Sequence, residues 1–567
     1  MPTFESDGSG LRTAFNVPIP MRDGIVLKAN IFLPEREGPV PAILERTPYG
    51  KRGHDTAVRR YVLAGYACIF MDTRGRYASG GDWIPFITPE TYEGTDGYDT
   101  IEWIASQPWC NGRVGTTGAS YNALVQWRTA PLRPPHLCAM SARTIPTEFN
   151  ELDWTGGIFR LARRLRWLFV TMAHDVRRRA GWQHLHKADS VLAAWNLEGE
   201  SLMRTLPVSA IADQLPSPMD HYFRDWLKNP SVRLWHFNEG HHEVDVPNLD
   251  VTGWFDHCND SIRHLAGMQA HGRTETARRQ SRVILGPWSH ITPGQPSCGA
   301  FDFGPAAQQD IDGLILRWFD HWLKDEPNGV TEDPTVRYFM LGSNTWKTAP
   351  AWPPPNTRDQ AWYLAGTGYA AVPGKPGDLC TTAAEGSPDS FDYDPMNPVP
   401  SLLNANLFTE ANNRARLDHR DDIARYRSAP LSEAVEIAGN ARVILHAASS
   451  ARDTDFHIHL ADEAPDGTAM ELASGAIRAR YRNGTDREAL LTPGVPVELT
   501  IELGPTACRF APSHRIRLEI TSSNFPNFDR NHNTGGDDLH ETTLVTARQT
   551  VFHNPQHPSR LILPIST

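Results

Sequence analysis

The run GTTGASYNALVQW, residues 115–127, decides the fold. Arg113 to Gly118 reads as a strand, and Tyr121 to Thr129 reads as a helix. Ser120 stands in the turn between them. Such a turn lifts a side chain clear of the sheet and aims the next backbone N–H, that of Tyr121, at the space in front of it. A serine is unreactive until a base takes its proton and donors stabilise the oxyanion, so the turn supplies part of what a nucleophile needs. Small neighbours favour the tight turn, and Gly118 and Ala119 fit. The usual pattern is Gly-x-Ser-x-Gly, and here Asn122 replaces the last glycine. Asparagine tolerates unusual backbone angles better than most residues, so the elbow is expected to survive.

Around this run, strand and helix patterns alternate. Val26 to Leu33, Ala42 to Leu44 and the apolar run Tyr66 to Met71 are strand candidates, and Tyr98 to Ser106 has helical spacing. Strand signals return at Leu249 to Trp254 and Arg282 to Gly286, with a helix pattern at Ile311 to Leu323. Alternation of this kind predicts a parallel α/β sheet. Between residues 151 and 245 the chain is rich in Arg, Trp, Leu and His, with helical periodicity and no clear strand, which predicts a helical insertion. Trp352-Pro353-Pro354-Pro355 reads as the start of a linker, residues 366–428 as long ordered loops, and residues 430–565 as many short strands. The last pattern predicts a β-sandwich or jelly roll.

A triad in this fold order places an acid and then a base after later strands. Asp256 ends VTGWFD and His290 ends ILGPWSH, each directly after a strand candidate. Alone, Asp256 reads as a helix N-cap and His290 as a polar turn residue. With Ser120, their order and position outweigh those readings.

GASY, GWFD and GPWSH resemble the motifs of the X-Pro dipeptidyl-peptidase and cocaine-esterase-like (CocE/NonD) serine hydrolases, a group that includes α-amino-acid ester hydrolases. ERTPYGKR (45–52), DTRGRYASGG (72–81), DGYDTIEWIASQPWCNGRVG (96–115) and RWFDHWLK (317–324) are similar to that family's α/β-hydrolase domain. FHIHLADEAPDG (456–467) and HRIRLEITSSNFPNFDRNHNTG (514–535) are similar to its C-terminal jelly roll. The resemblance implies an α/β-hydrolase domain (residues 1–150 and 246–350), a helical cap (151–245) and a jelly-roll β-sandwich (351–567). It implies Ser120 as nucleophile, Asp256 and His290 as its partners, and an oxyanion hole made by the Tyr49 hydroxyl and the Tyr121 N–H. The implied activity is hydrolysis of an ester or amide of a small acyl substrate through an acyl-enzyme. An X-prolyl dipeptidyl aminopeptidase or an acyltransferase would use the same machinery, and a non-catalytic scaffold need not keep all four side chains.

With 567 residues, 40% of them hydrophobic, the chain is too long for one core and about three domains are expected. A net charge of -11 without a basic cluster argues against nucleic acid, and Arg177-Arg178-Arg179 reads as a solvated helix end. The apolar runs are too short to span a membrane, and no signal peptide is read at the N-terminus. Seven scattered cysteines without a CxxC pair argue against disulfides and thiolate zinc sites, so a cytoplasmic location is expected. The chemistry needs no cofactor and no metal, and the sequence leaves a homo-oligomer open. His236, His241, His242 and Glu243, with Asp245 and Asp250 beyond, match no standard metal spacing and read as a loop near the pocket. The Arg/Trp-rich stretch Arg160 to Trp167 could line the pocket, but reads better as an amphipathic cap helix.

Overall fold

The computed structural model describes residues 3–566 apart from 7, 9, 54, 84, 86–91, 145–152, 181–198, 216, 228–239, 258–259, 384 and 404–407. The N-terminal half is built on strands β1 (Leu11–Pro20), β2 (Val26–Pro34), β3 (Val40–Thr47), β4 (Ala67–Asp72), β5 (Cys110–Ala119) and β6 (Leu137–Arg143). It continues through β7 (Leu249–Gly253), β8 (Arg282–Gly286), β9 (Val336–Met340) and β10 (Thr345–Ala349). Their spatial order is β1-β2-β4-β3-β5-β6, then β7-β8-β9-β10. One bridge, Met140 to Asn248, joins the two sets, and the Asn248 amide reinforces it by accepting from Ala142 N at 2.8 Å and donating to Ala142 O at 3.0 Å. From β4 to β9 the neighbours run parallel, while β1, β2 and β10 are antiparallel. This is the α/β-hydrolase order, and it puts the C-terminal ends of β3, β5, β7 and β8 at one edge of the molecule, where such a sheet collects ligands.

The strands alternate between two cores. Ala67, Ile69 and Met71 of β4 face a cluster that holds Ile101 and Ile104 of helix α2 and Leu124 of α3. Cys68 and Phe70 face Val58 and Val62 of α1 and Phe319 of the last helix of this half. These helices are α1 (Thr56–Leu63), α2 (Gly94–Ala105), α3 (Tyr121–Thr129), and, further on, α4 (Leu161–Ala180), α5 (Met219–Trp226), α6 (Ser261–His271), α7 (Glu275–Gln280) and α8 (Ile311–Lys324). Burial on both faces explains why β3 and β4 read as unbroken apolar runs.

Helices α4 and α5 and 3-10 turns at Val208–Gln214 and His241–Glu243 are described in the segment between β6 and β7. Contrary to the all-helical expectation, this segment opens with a two-stranded pair, Trp154–Thr155 against Ile158–Phe159, turned by Gly156 and Gly157 at positive φ. The side chains of Arg177 to Arg179 lie outside the described residues.

The C-terminal half is a single eleven-stranded sheet wrapped on itself. Its strands are β11 (Thr357–Ala365), β12 (Gly377–Cys380), β13 (Asp389–Tyr393), β14 (Ala424–Ser428), β15 (Val435–Ser449), β16 (Asp455–Glu463), β17 (Ala469–Arg478), β18 (Val497–Phe510), β19 (Arg515–Thr521), β20 (Ala547–Phe552) and β21 (Arg560–Ser566). Three of them, β12, β13 and β14, fall in the stretch read as loops from sequence. They are four or five residues long and separated by Pro, Gly and Asp, so no period is long enough to read. One apolar cluster joins this sheet to Trp254, Phe255, Val283 and Leu285, so the two halves share a core beside the end of β7 and β8.

Candidate active site

Ser120 has φ 60 and ψ -125, a strained conformation for a residue with a Cβ, on the order of 1–3 kcal/mol. The strain is held by neighbours: Ser120 N donates to Arg143 O at 3.0 Å, and Ala123 N and Leu124 N both donate to Ser120 O. Tyr121 N is the first N–H of α3, ahead of the carbonyls that serve the helix. Gly118, at φ 133, is required for space as well: a Cβ there would meet Asn122 Cβ at 2.5 Å. Asn122 itself is not among the residues at positive φ, so its tolerance does not come from backbone freedom, as the sequence suggested. Its amide donates to Glu45 Oε1 at 2.9 Å. Burial pushes the Glu45 carboxyl up, and Arg52, Arg143 and Asn122 draw it back.

Asp256 and His290 are brought together by two interlocked loops. Trp254 N donates to Gly286 O at 3.0 Å, and Phe255 N donates to Trp288 O at 3.0 Å. The close approach needs both glycines: a Cβ on Gly253 would lie 2.1 Å from Trp288 O, and one on Gly286 would lie 2.3 Å from the Trp288 ring. Trp288 is fully buried, with its indole N–H on Gln295 O and Ala307 O. The result is a His290 Nδ1 contact with both Asp256 oxygens at 3.1 Å, with Asp256 buried and His290 partly open. Among the described residues no hydrogen bond joins Ser120 Oγ to His290.

Tyr49 follows β3 and is 39% exposed. Its loop is tied down by Lys51, whose N and Nζ both donate to Asp72 at 2.7 and 2.5 Å, and by Arg76, whose Nε donates to Pro48 O at 2.8 Å. The second arm of Arg76 donates to Thr171 O of α4, and its guanidinium covers Trp83. Trp167 of α4 donates its indole N–H to the Tyr49 hydroxyl at 3.2 Å, and the Tyr49 and Tyr121 rings meet edge to face at 6.4 Å. Trp83 donates to the Tyr121 hydroxyl at 3.0 Å and packs on Trp167. The amphipathic α4 helix therefore also furnishes the site.

Several site residues were not picked out in the sequence. His257 packs against His290 at 4.6 Å and stacks on Phe408 at 5.0 Å. Burial first, and then Arg163, His290, Arg160 and Arg166, hold the His257 imidazole well below its ordinary value, so it is neutral. Phe408 comes from the C-terminal half, where the next residue, Thr409, donates to Phe255 O at 2.9 Å. Arg166 lies over Phe408 at 4.7 Å. No local motif announces a loop that reaches a site from another domain.

The histidine group read as a loop is dispersed. His241 is buried against Trp127 and His264, His242 is exposed, and Glu243 is half-buried and pairs with Arg133. Asp245 pairs with Arg273, Asp250 accepts from Thr144 N, and His236 lies outside the described residues.

Residues 23–292 match the family model described as X-Pro dipeptidyl-peptidase (S15 family), and residues 328–562 match that of the X-Pro dipeptidyl-peptidase C-terminal non-catalytic domain. A cocaine esterase from Rhodococcus sp. (strain MB1 Bresler) is 32% identical over 585 residues, covering 97% of this chain and 98% of that protein. Among solved structures, an α-amino acid ester hydrolase has a TM-score of 0.82 at 22% identity, covering 100% of this chain and 98% of that one. An aminopeptidase from a marine sediment archaeon, Thaumarchaeota archaeon, has a TM-score of 0.81 at 24% identity, with the same coverage. These two likenesses bear on the fold.

Proposed function

The chain belongs to the X-Pro dipeptidyl-peptidase (S15) family of serine hydrolases, and from that premise we propose that Ser120, His290 and Asp256 hydrolyse an ester or amide of a small acyl substrate. The observation that carries this reading is the Asp256–His290 contact at 3.1 Å, at the same sheet edge as the strained Ser120 turn. In this mechanism His290 takes the Ser120 proton as Oγ attacks the carbonyl carbon. Serine–base hydrogen bonds of free enzymes are often long and tighten with substrate. The Tyr121 N–H and the Tyr49 O–H hold the oxyanion. The Tyr49 hydroxyl accepts from Trp167, which fixes its oxygen while its proton points onward as a donor. The imidazolium then protonates the leaving alcohol or amine, and water repeats the cycle to release the acid. Asp256 accepts from His290 Nδ1 and so fixes the tautomer with a basic Nε2.

Substrate preference follows from the charge around the acyl pocket. Arg160, Arg163 and Arg166 bear on His257 beside His290, and such a field disfavours a substrate with a free α-ammonium group. We therefore favour esters and amides without one over X-prolyl peptides. Aromatic walls at Trp83, Trp167 and Phe408 suit an apolar acyl chain. A panel of p-nitrophenyl esters, aminoacyl esters and prolyl anilides tests this: turnover of the simple esters is expected to lead, and a preference for prolyl anilides would overturn it. The same site with an added amine or alcohol tests for acyl transfer. The division into a hydrolase domain, cap and jelly roll at 150, 245 and 350, and a cytoplasmic location, also belong to this reading. No described helix is long and apolar enough to cross a membrane.

A further inference from the structure

The loop from Asn531 to Glu541 follows the NFPNFDRN stretch and lies far along the chain from the site above. It sits where the cap segment meets the C-terminal sheet: Ser209 N donates to Leu539 O at 2.9 Å, and Phe159 N donates to Asp529 Oδ1 at 2.8 Å. Beneath it is a dense charge cluster. Asp453, Asp455, Asp529 and Asp538 are all buried and share two guanidiniums, those of Arg478 and Arg480, at 2.6 to 3.3 Å. Burial pushes all four carboxyls up, and the buried Arg530 also bears on Asp529. Glu541 stands partly buried at the edge, and among the described residues no Lys or Arg lies within ion-pair distance of it.

At the edge of this cluster stands His532. It is fully buried, and neither ring nitrogen has a hydrogen-bond partner. An orphaned buried imidazole is uncommon and asks for a ligand. His532 Nδ1 lies 3.7 Å from Glu541 Oε1, and one ligand atom each from His532, Asp538 and Glu541 lie within 4.8 Å of one another. Asp538 is oriented by the backbone N–H of His532 at 2.8 Å, and Glu541 by the Thr534 hydroxyl. Gly536 leaves room for the Glu541 carboxylate, since a Cβ there would sit 2.6 Å from Oε2. A cavity of about 410 Å³, lined in part by Arg478, Arg480, Gly536, Asp538 and His540, opens beside the loop and reaches Asp538.

We propose that His532, Asp538 and Glu541 bind a divalent transition-metal ion, with Zn²⁺ as the test ion, and that this ion pins the loop at the seam between the cap and the jelly roll. One imidazole and two carboxylates, with water in the fourth position, would make a donor set of the kind zinc takes. The ion plays no part in the hydrolytic step.

The test uses the full chain, stripped with EDTA and titrated with ZnCl₂ by calorimetry, with thermal melts alongside. Asp256, His257 and His290 also lie together and could take zinc, so wild type is compared with His532→Gln and with Glu541→Gln. Glu541 is partly exposed, so the second variant folds even if the first does not. Expected is one zinc equivalent in wild type that weakens by more than about 100-fold in either variant. Zinc should raise the wild-type Tm by several degrees, and lose most of that effect in the variants. Cobalt bound at the same site would show visible ligand-field bands that vanish with the same substitutions. Equal zinc stoichiometry, affinity and Tm shift in wild type and both variants would overturn the proposal.

Discussion

Asn122 stands where a glycine would complete the elbow motif, and the structure replaces a backbone argument with a packing one. Gly118 yields the space that Asn122 occupies, and Asn122 spends its amide on the buried Glu45. Asn122→Gly should therefore lower stability by about 1–3 kcal/mol, through a lost hydrogen bond to a buried carboxyl and a helical glycine. Turnover should stay within about tenfold, because no proposed oxyanion donor is touched. A thermal melt and a rate on the same sample check both; an intact, stable and inactive variant would make Asn122 a functional side chain. Tyr49→Phe probes the opposite case. It removes one hydroxyl and keeps the ring, so kcat should fall on the order of 10²–10³ with little change in KM. Near-normal kcat would leave the oxyanion to backbone amides. At this scale the sequence was informative where a residue sits in a motif. Ser120, Asp256, His290 and Tyr49 could be read because each follows a strand. His257 and Phe408 could not, since packing across elements leaves no local signature, and for Trp167 the sequence offers a pocket-lining reading without deciding it over a plain cap helix.

Among the elements, the meeting of GWFD with GPWSH matters most. Two turns from neighbouring strands hydrogen-bond to each other and close on Trp288, and Asp256 and His290 are aligned as a consequence. Gly253→Ala would drive a Cβ to 2.1 Å from Trp288 O. Overpacking of this kind should cost about 3 kcal/mol. A displacement of Asp256 by about 1 Å should also cost about 100-fold in turnover. Denaturant unfolding and kinetics on the variant check this, and wild-type values in both would contradict the interlocked arrangement. The sequence made elements with a helical period or an apolar run legible: α3 runs over Tyr121–Thr129 and β8 over Arg282–Gly286. It failed on short strands set among Pro, Gly and Asp and on the two-residue pair. Those at 154–159 and between 377 and 428 are held by tertiary pairing rather than by a period of their own.

For the whole molecule, buried histidines and buried carboxyls pull the response to acid in opposite directions. Burial, with nearby cations, holds His257 and His457 well below the ordinary histidine value, so the folded state keeps them neutral. The unfolded chain takes up protons below about pH 6.5, so the stability they contribute is present above that pH and is lost as pH falls through it, by about 1.4 kcal/mol per unit for each. Glu519 adds the same trend further down: despite burial, Arg414 and Arg517 hold it at about 2, and its contribution fades as pH drops from the ordinary carboxylate range toward that value. Burial pushes the Glu93, Asp250 and Asp529 carboxyls up to about 7, and these act in the opposite sense over the same range, so the histidine share is read as a difference: between pH 7 and 5 the wild type should lose more Tm than His457→Leu. An equal change of Tm in the two proteins would contradict the neutral burial of His457.

The central claim is that Ser120 is the nucleophile. Its most direct test is to treat the protein with a serine-directed phosphonate and locate the adduct by peptide mass mapping. The account predicts one adduct, on Ser120, with complete loss of ester turnover, and neither labelling nor turnover in a folded Ser120→Ala variant. An adduct on another serine, with turnover surviving in Ser120→Ala, would contradict it.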